Sequence, residues 1–378
     1  MTAVETDILR EEMLSPAVSN TVQPRTAAAL APDVPRIIGR RTTDEFASYL
    51  GSALAALALV WVVYCGVLAF SGTLGFIVCW WLAFIALYGL ISAMSNPRPI
   101  VADRLVSVVV LSAAMLVGLA LLSTILHIFH KGWPALHHLN FYTQDMSGVR
   151  PTAALTEGGI LHAIVGSGIE VGIAVAISLP LGVATAVYLT EVGGRLSRIV
   201  RTVVEAMTAL PDILAGLFVY TVLIISFHAE RTGLTAALAL VVTIIPIIAR
   251  SAEVVLRVVP GGLREASLAL GASQSQTVRR VVLPTARSGL ATALILGIAR
   301  IAGETAPLLI VSSATTYFNS DPLHGQMNSL PLFIISSVRS GQKQAIIRGY
   351  GAAALLLTLV LGLFVLTRFL ARDKAARR

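Results

Sequence analysis

Long apolar runs alternate with short polar segments along most of this chain. A helix needs about 20 apolar residues to cross the roughly 30 Å hydrocarbon layer of a bilayer, so runs of that length predict spanning helices. Such runs cover residues 52–70, 74–94, 105–127, 160–189, 204–227, 233–250, 289–313 and 350–370. The pattern therefore predicts an all-α polytopic membrane protein with about eight spans.

The basic residues give these spans a direction. Hydrophobic residues make up 56% of the 378 positions and charged residues only 13%, although the net charge is +8. If the first segment lies in the cytoplasm, the segments on that side hold 20 of the 28 Lys and Arg residues and the opposite loops hold 6. Because positive charge is retained on the cytoplasmic side, both termini are predicted to be cytoplasmic. This placement favours a membrane lipid setting and argues against nucleic-acid binding.

The tail and the candidate metal ligands offer little chemistry. Residues 1–50 mix acids, arginines and prolines without helical periodicity, which predicts a disordered cytoplasmic tail. Cys65 and Cys79 lie inside apolar runs, where cysteine usually packs as a small hydrophobe. Four histidines flank the first outward loop without a fixed ligand spacing or a nearby carboxylate, so we predict no metal site; they are His127, His130, His137 and His138.

Prolines interrupt four of the last five predicted helices, at positions 180, 211, 246 and 307. Membrane helices accept proline where neighbouring helices or a cavity satisfy the freed backbone groups. Each proline alone is typical of an ordinary kink. Together they indicate a bundle that can bend.

Charged side chains inside the spans are the main candidates for function. Arg300 and Glu304 lie one helical turn apart, and Arg300 falls about 16 Å into its predicted span. Glu170 is expected at nearly the same depth. Each such residue opposes insertion by roughly 2.5 to 3.5 kcal/mol, so they should face a cavity or one another. A guanidinium can donate paired hydrogen bonds to a tetrahedral oxyanion, but an Arg300–Glu304 salt bridge that only braces the helix is equally compatible with the spacing.

Two further interior charges have structural alternatives. Arg250 ends the sixth predicted span and could form a second step for an anion, or simply extend its charge to the membrane surface. Glu170 lies between Gly168 and Gly172, a spacing that permits close helix approach. We therefore expect Glu170 to have a structural partner across a helix interface.

The loop at 251–288 is the only long one with helical patterning. Pro260 and Gly261 break the chain, a short helix is predicted from Leu263 to Leu270, and Pro284 precedes the next helix. Small side chains on this helix would let it lie in the groove of a partner. Composition alone would equally suit a solvated connector.

Within that loop, Glu265, Ala266, Ser267 and Gly271, followed by Leu283-Pro284, resemble the EAA loop of ABC importer permeases. In that family the loop forms the coupling helix that docks on the ATPase, and alanine is usual at the place of Ser267. Further segments, "ARIAGETAPLL" at 299–309, "YLTEVG" at 188–193 and "GLFVY" at 216–220, are similar to the PstA-type membrane subunits of phosphate ABC importers. The resemblance covers about residues 100–378.

The resemblance implies a type I ABC importer transmembrane domain with a six-span family core in residues 100–378. Its core spans would occupy 160–370, with the coupling loop at 251–288 and an added transmembrane hairpin at 51–95. It also implies that Arg250 and Arg300 are pathway arginines, with Glu304 holding Arg300 ready. Where this chain has Asp212 the family more often has serine, so we expect an extra carboxylate near the cytoplasmic mouth, as a helix cap or in an ion pair.

In function, the resemblance implies a permease subunit of a bacterial plasma-membrane importer of inorganic phosphate. Its expected partners are a second permease (PstC-type), an ATPase dimer (PstB-type) and an external phosphate-binding protein (PstS-type), which would meet the outward segment 324–342. No Gly-Lys step occurs and the only lysines are 131, 343 and 374, so the chain lacks a phosphate-binding loop for ATP. We therefore expect no enzyme activity and no cofactor on this chain, with ATP and Mg bound by the ATPase.

Two alternatives remain open at the level of sequence. The chain could belong to an importer of another oxyanion, such as sulfate or molybdate. It could instead be a secondary anion transporter, which would need coupling-ion carboxylates and inverted repeats. No such repeat is visible, and an EAA loop would have no purpose there.

Overall fold

A computed structural model describes residues 43–68, 70 and 72–372. Within this range the protein is helical, without β-strands. The helices, numbered in chain order, are α1 Thr43–Val60, α2 Thr73–Ser95, α3 Arg98–Leu136, α4 Asn140–Thr143, α5 Leu161–Val187, α6 Arg195–Ala209, α7 Asp212–Val219, α8 Gly233–Val258, α9 Gly261–Ala269, α10 Gln274–Thr277, α11 Leu283–Ala302, α12 Leu308–Val311, α13 Leu330–Arg339 and α14 Lys343–Arg372. Helices α1, α5, α7 and α10 continue as π-helical segments, Trp61–Val67, Tyr188–Val192, Tyr220–Ser226 and Val278–Val282.

Seven helices of the described chain are long and apolar enough to cross a membrane, and the count reaches eight if α6 and α7 form one broken span. The prediction of an all-α polytopic membrane protein is therefore confirmed. Two of the predicted spans differ from the helices found. The run at 289–313 is cut short, because α11 ends at Ala302. The run at 204–227 is split by a bend of 104°.

The break between α6 and α7 has a local cause. Proline disfavours helical backbone in the residue before it, and Leu210 is extended, with ψ of 134°. Pro211 itself has ψ of 133°, and α7 begins at Asp212. Helix α6 carries arginines and a glutamate along one face, so it is amphipathic and unsuited to a lipid-crossing segment. By contrast, α7 and its π-helical extension carry no charged residue beyond Asp212.

The described chain divides into two compact units, the first ending at Leu116 and the second beginning at Val117. In the first unit, α1 and α2 pack around Phe84 and Tyr88, with the ring of Tyr49 edge-on to both. These helices correspond to the hairpin expected at 51–95. Helix α1 begins at Thr43, so the last part of the expected tail is helical, and residues 1–42 lie outside the described residues.

In the second unit, α5 and α8 lie side by side and run parallel. A Cβ on Gly182 would come within 2.7 Å of Ile248, and Gly166 and Gly233 both face Met327. The buried face of α5 repeats every four residues, at Gly166, Glu170, Ala174, Ser178, Gly182 and Ala186. We call the end where α5 and α8 begin the upper end, and the end where α9 lies the lower end.

The close approach of α5 to its neighbours does not use the glycines that the sequence suggested. A Cβ on Gly168 or Gly172 would meet no atom within 4 Å. Both glycines lie on the exposed face of α5. The tight contacts come from Gly166 and Gly182, because the buried row is set two residues away from the predicted one.

Helix α11 runs antiparallel to α8. Gly289 faces Val255, and Gly297 lies against Ile244 and Ile248. The predicted loop 251–288 is largely helical, because α8 continues to Val258 and a helix resumes at Gln274. Pro284 falls in the first turn of α11, where its missing N–H costs little.

Helix α13 occupies most of the outward segment 324–342. The apolar side chains Leu330, Leu332 and Phe333 are buried against the rest of the second unit. These three side chains are therefore not part of an exposed apolar surface. The segment folds inward as a short apolar helix, and within 324–342 the exposed large apolar side chain is Val338.

Candidate functional site

Two helix breaks meet within the second unit. One is the break before α7, and the other lies between Ala302, where α11 ends, and Leu308, where α12 begins. A Cβ on Gly216 would lie 2.6 Å from the Cα of Pro307, so α7 and α12 touch backbone to backbone. In membrane proteins such interrupted helices are stable where their freed backbone groups line a cavity, and they form ligand sites there.

Arg300 stands at this junction and contacts two carboxylates. Its Nη1 donates to Oε2 of Glu304 at 2.5 Å, and its Nη2 donates to Oδ2 of Asp212 at 2.5 Å. The position of Arg300 in the last turn of α11 suits its charge, because the carboxyl end of a helix is partially negative. The spacing of Arg300 and Glu304 predicted their contact, but it gave no sign of Asp212.

The position of Asp212 corrects the expectation that this carboxylate lies near the cytoplasmic mouth. The bend at Pro211 turns the chain, so that the first residue of α7 reaches the end of α11. The ion-pair role is present, with Arg300 as the partner. We call Arg300, Asp212 and Glu304 the junction triad.

Helix α8 serves as a ruler for depth. Because Gly297 packs between Ile244 and Ile248, Arg300 is roughly level with Thr243. That level lies about 15 Å along a helix that is about 39 Å long. Gly182 on α5 packs against Ile248 on α8, and Glu170 precedes Gly182 by twelve residues, so Glu170 is about 10 Å nearer the upper end than Arg300. The expectation that Arg300 and Glu170 share one depth is therefore wrong, because α11 is placed differently from the predicted span.

The junction triad has more negative than positive groups when all are ionised. The exposed side-chain fractions are 51% for Arg300, 33% for Asp212 and 9% for Glu304. The half-exposed guanidinium keeps further N–H donors that an oxyanion can reach. Asp212 is the more accessible of the two carboxylates, and Glu304 is the more buried.

Arg250 takes part in a separate cluster at the lower end. Its Nη2 lies 2.8 Å from Glu205 on α6, and its Nη1 lies 3.5 Å from Glu253. The buried Glu253 also pairs with Arg201 at 2.8 Å and with Arg257 at 2.6 Å. This cluster ties α6 to α8, so Arg250 has a structural use in the described chain, and its role as an anion step stays a prediction.

Glu170 is 1% exposed on the buried face of α5. Within the described residues neither of its carboxylate oxygens accepts a hydrogen bond. The partner predicted for Glu170 across the helix interface is thus not found in that part of the chain. Both ring nitrogens of His162 and the hydroxyl of Ser178, on the same helix, are in the same situation.

The predicted coupling residues lie on and just after α9. Glu265 and Ala266 are exposed, whereas the Ser267 hydroxyl lies 2.9 Å from that of Thr277 and ties α9 to α10. Gly271 has φ of +84°, a conformation that favours glycine and ends the helix. Leu270, 89% exposed, extends the uncovered surface next to α9.

The residue that anchors α9 was not predicted. Nε and Nη2 of Arg264 form a forked contact with the carboxylate of Glu191, with a shortest distance of 2.7 Å. Nη1 of Arg264 also donates to the carbonyl of Val259 at 2.6 Å, and Nη2 to that of Leu256 at 2.9 Å. Glu191 lies in the segment at 188–193 and Arg264 directly precedes Glu265, but only the fold brings them together.

The described residues contain no group of three or more His, Cys, Asp or Glu side chains that could hold a metal ion. His127 instead lies edge-on to Tyr350, and His137 edge-on to Trp133. Cys65 and Cys79 are exposed free thiols.

Comparison with known proteins adds to this geometry. A family described as "Binding-protein-dependent transport system inner membrane component" matches residues 178–375. The phosphate transport system permease protein PstA 1 of Mycobacterium tuberculosis is 37% identical over 252 residues, which cover 66% of this chain and 81% of that protein. The phosphate transport system permease protein PstA of Haemophilus influenzae is 34% identical over 272 residues, which cover 69% of this chain and 94% of that protein.

Among solved structures, an inward-facing form of the MetNI methionine ABC transporter is similar. It covers 57% of this chain and 94% of its own, with 24% sequence identity and a TM-score of 0.45.

Proposed function

The chain belongs to the family of binding-protein-dependent transport system inner membrane components, and from this premise we propose that it is the PstA-type permease subunit of an importer of inorganic phosphate. Its transmembrane domain is of the type I ABC importer class, and it crosses the membrane several times. The phosphate assignment follows from the relatives in Mycobacterium tuberculosis and Haemophilus influenzae.

The observation that carries the proposal is the junction triad. A permanently charged guanidinium stands at the meeting of two helix breaks, about midway along α8, and half of its side chain is exposed. A forked donor of this kind matches the oxygens of phosphate, and its half-exposed position leaves it within reach of an anion.

The proposed step at Arg300 is an exchange of partners. Without cargo, Asp212 and Glu304 occupy the guanidinium. Phosphate displaces Asp212, while the buried Glu304 keeps Arg300 in position from the far side. When the helices reopen toward the lower end, Asp212 returns and the anion leaves.

The proposed motion is alternating access. ATP closes the ATPase pair, and α9 transmits that movement through Arg264 and Glu191 to the lower end of α5. The bend at Pro211 and the break before Pro307 let α7 and α12 shift against the fixed pair α5 and α8.

In this proposal the lower end and both termini are cytoplasmic, and the upper end faces outward, as the distribution of basic residues suggests. The partners are a second permease, an ATPase dimer bound at Glu265, Ala266 and Gly271, and an external phosphate-binding protein. The chain itself performs no catalysis, and ATP and Mg belong to the ATPase. The organisation into an added hairpin at 51–95 and an importer domain from residue 100 is part of the proposal.

The test is phosphate uptake by the assembled transporter in proteoliposomes containing the binding protein and ATP. Arg300→Ala removes the two charge-assisted hydrogen bonds that the guanidinium would donate to phosphate. Each is worth about 1.5 to 3 kcal/mol, so the uptake rate should fall at least about 100-fold. Arg287→Ala, which removes the other arginine of α11, should leave uptake near the parent rate. Undiminished uptake by Arg300→Ala contradicts the role of the triad.

A second variant separates function from assembly. Arg300→Gln combined with Asp212→Asn removes the charges of both Arg300 and Asp212, and the amide of the new glutamine can still donate a hydrogen bond to Glu304. It should assemble like the parent and still fail to import phosphate. Competition with sulfate and molybdate in the same vesicles decides the cargo. If either anion inhibits as well as unlabelled phosphate does, the phosphate assignment is wrong.

A further inference from the structure

A basic pocket lies at the upper end, distinct from the junction triad. Its volume is about 580 Å³, and its wall includes Arg231, Arg339, Ser313, Leu309 and Leu332. We call it the upper pocket. Arg231 lies just before α8, Ser313 follows α12, and Arg339 ends α13, so three separate segments contribute to it.

The arginines of the upper pocket differ from Arg300 of the junction triad and from the arginines at the lower end. Arg250, Arg264 and Arg300 are all paired with carboxylates. Within the described residues, Arg231 and Arg339 make no ion pair. Two like charges that line one pocket without counter-charges in the described chain create a positive potential there, which attracts anions.

Arg231 is also held in place. Its guanidinium lies 5.4 Å from the ring centre of Tyr220, over the ring face. This cation–π contact occupies none of the N–H donors of Arg231 with a hydrogen-bond acceptor, so they stay available to an anion. The arginine is therefore positioned without being neutralised.

The remaining wall suits a small oxyanion. Ser312, Ser336 and Ser340 donate their hydroxyl hydrogens to backbone carbonyls. The hydroxyl of Ser313 makes no side-chain hydrogen bond with the described residues, so it is available as a third donor. Leu309 and Leu332 make the surroundings apolar, which strengthens the attraction between a guanidinium and an anion.

The upper pocket and the junction triad share a wall. Asp212 and Tyr220 are eight residues apart on α7 and its extension, which corresponds to about 12 Å along the helix. Gly216 lies halfway between them and touches Pro307. The contact of α7 with α12 thus separates Arg231 above from Arg300 below.

From this geometry we propose that the upper pocket binds a tetrahedral oxyanion, with Arg231 and Arg339 as its main donors and Ser313 as a third. The proposal rests on the proposed function, because the anion would then be phosphate received from outside, held above the contact of Gly216 with Pro307 until it opens toward Arg300. The path would contain two guanidinium sites in series.

The test uses a cysteine placed inside the pocket. Ser313→Cys is introduced after Cys65 and Cys79 have been replaced by serine, and the assembled transporter is labelled without ATP. Labelling by an anionic methanethiosulfonate reagent should be about tenfold faster than by a cationic one, because the pocket concentrates anions. Ser147→Cys, an exposed position elsewhere at the upper end, is the control and should show no such preference.

Inorganic phosphate should slow labelling at position 313 in proportion to the fraction of transporters whose upper pocket it occupies. The labelling rate at position 147 should not change. Adding Arg231→Gln and Arg339→Gln should remove both the protection and the preference for the anionic reagent. If phosphate gives no protection, or the preference survives without the arginines, the upper pocket is not an anion site.

The labelling result is independent of the proposed function. Phosphate uptake without protection at position 313 overturns the upper pocket and leaves the importer assignment intact. Protection by sulfate in a transporter that imports no phosphate supports the pocket as an oxyanion site and overturns the phosphate assignment.

Discussion

Breaking the forked contact between Arg264 and Glu191 should uncouple ATP hydrolysis from import. The side chains are 23% and 8% exposed, so the contact is largely shielded from water. Loss of one partner from a buried pair costs about 3 to 5 kcal/mol. Arg264 keeps its hydrogen bonds to the carbonyls of Val259 and Leu256 and is partly exposed, so for Glu191→Gln we expect a loss below this range, about 2 to 3 kcal/mol.

That cost falls on the attachment of α9 rather than on the whole fold. A loss of 2 to 3 kcal/mol raises the detached population of α9 by roughly 30- to 150-fold. A detached helix can still bind the ATPase, but it cannot pull on α5. We therefore expect Glu191→Gln to keep ATP hydrolysis and to import much less phosphate per ATP consumed.

The assay is the ratio of ATP hydrolysed to phosphate imported by the reconstituted transporter. Arg198→Gln, which also neutralises a single charge at an exposed position of α6, is the control and should leave the ratio unchanged. Exchanging the charges, with Arg264→Glu and Glu191→Arg, should not restore coupling. A carboxylate at position 264 would face the carbonyl oxygens of Val259 and Leu256. A parental ratio in Glu191→Gln, or rescue by the exchange, would refute this reasoning.

Two further predictions concern packing and pH. Gly166→Ala should destabilise the transporter by about 1 to 3 kcal/mol, because the methyl group collides with the Asn328 carbonyl, whereas Gly168→Ala meets no atom within 4 Å and should not lower its unfolding temperature. A lower unfolding temperature for Gly168→Ala than for Gly166→Ala would contradict the packing. The hydrogen bond between Asp321 and His324 raises the pKa of His324 above its ordinary 6.5 and lowers the pKa of Asp321. Their contact should therefore persist at pH values between the lowered pKa of Asp321 and the raised pKa of His324, and it should be lost as the pH rises through the latter. NMR titration should give a His324 midpoint above 6.5 that returns toward 6.5 in Asp321→Asn, and an unchanged midpoint in that variant would disprove the link.

Hydropathy located the spans because lipid selects for apolar length, and length can be read directly along the chain. It could not place the break before α7. Pro211 was visible as an interruption, but the apolar residues on either side fill one continuous window. The distinction between a kink and a bend of 104° lies in how α6 and α7 pack.

Within the candidate site, contacts along one helix were predictable and contacts between helices were not. Arg300 and Glu304 are four residues apart, so helical geometry alone brings them together. Asp212 is 88 residues from Arg300, and Glu191 is 73 residues from Arg264. Each of these pairs requires the fold. The depth of Glu170 relative to Arg300 was misjudged for a related reason, because it depends on where α11 ends.

The junction triad also bears on what the protein must keep out. An unpaired guanidinium inside the membrane would attract chloride and other small anions whenever the transporter was not carrying phosphate. Because Asp212 and Glu304 already pair with Arg300, a small anion has to compete with two carboxylates that belong to the protein and cannot diffuse away. A doubly charged oxyanion with several oxygen acceptors can displace a carboxylate from Arg300, whereas a halide cannot. The ion pairs of the resting state would thus prevent small anions from leaking through, without a separate plug.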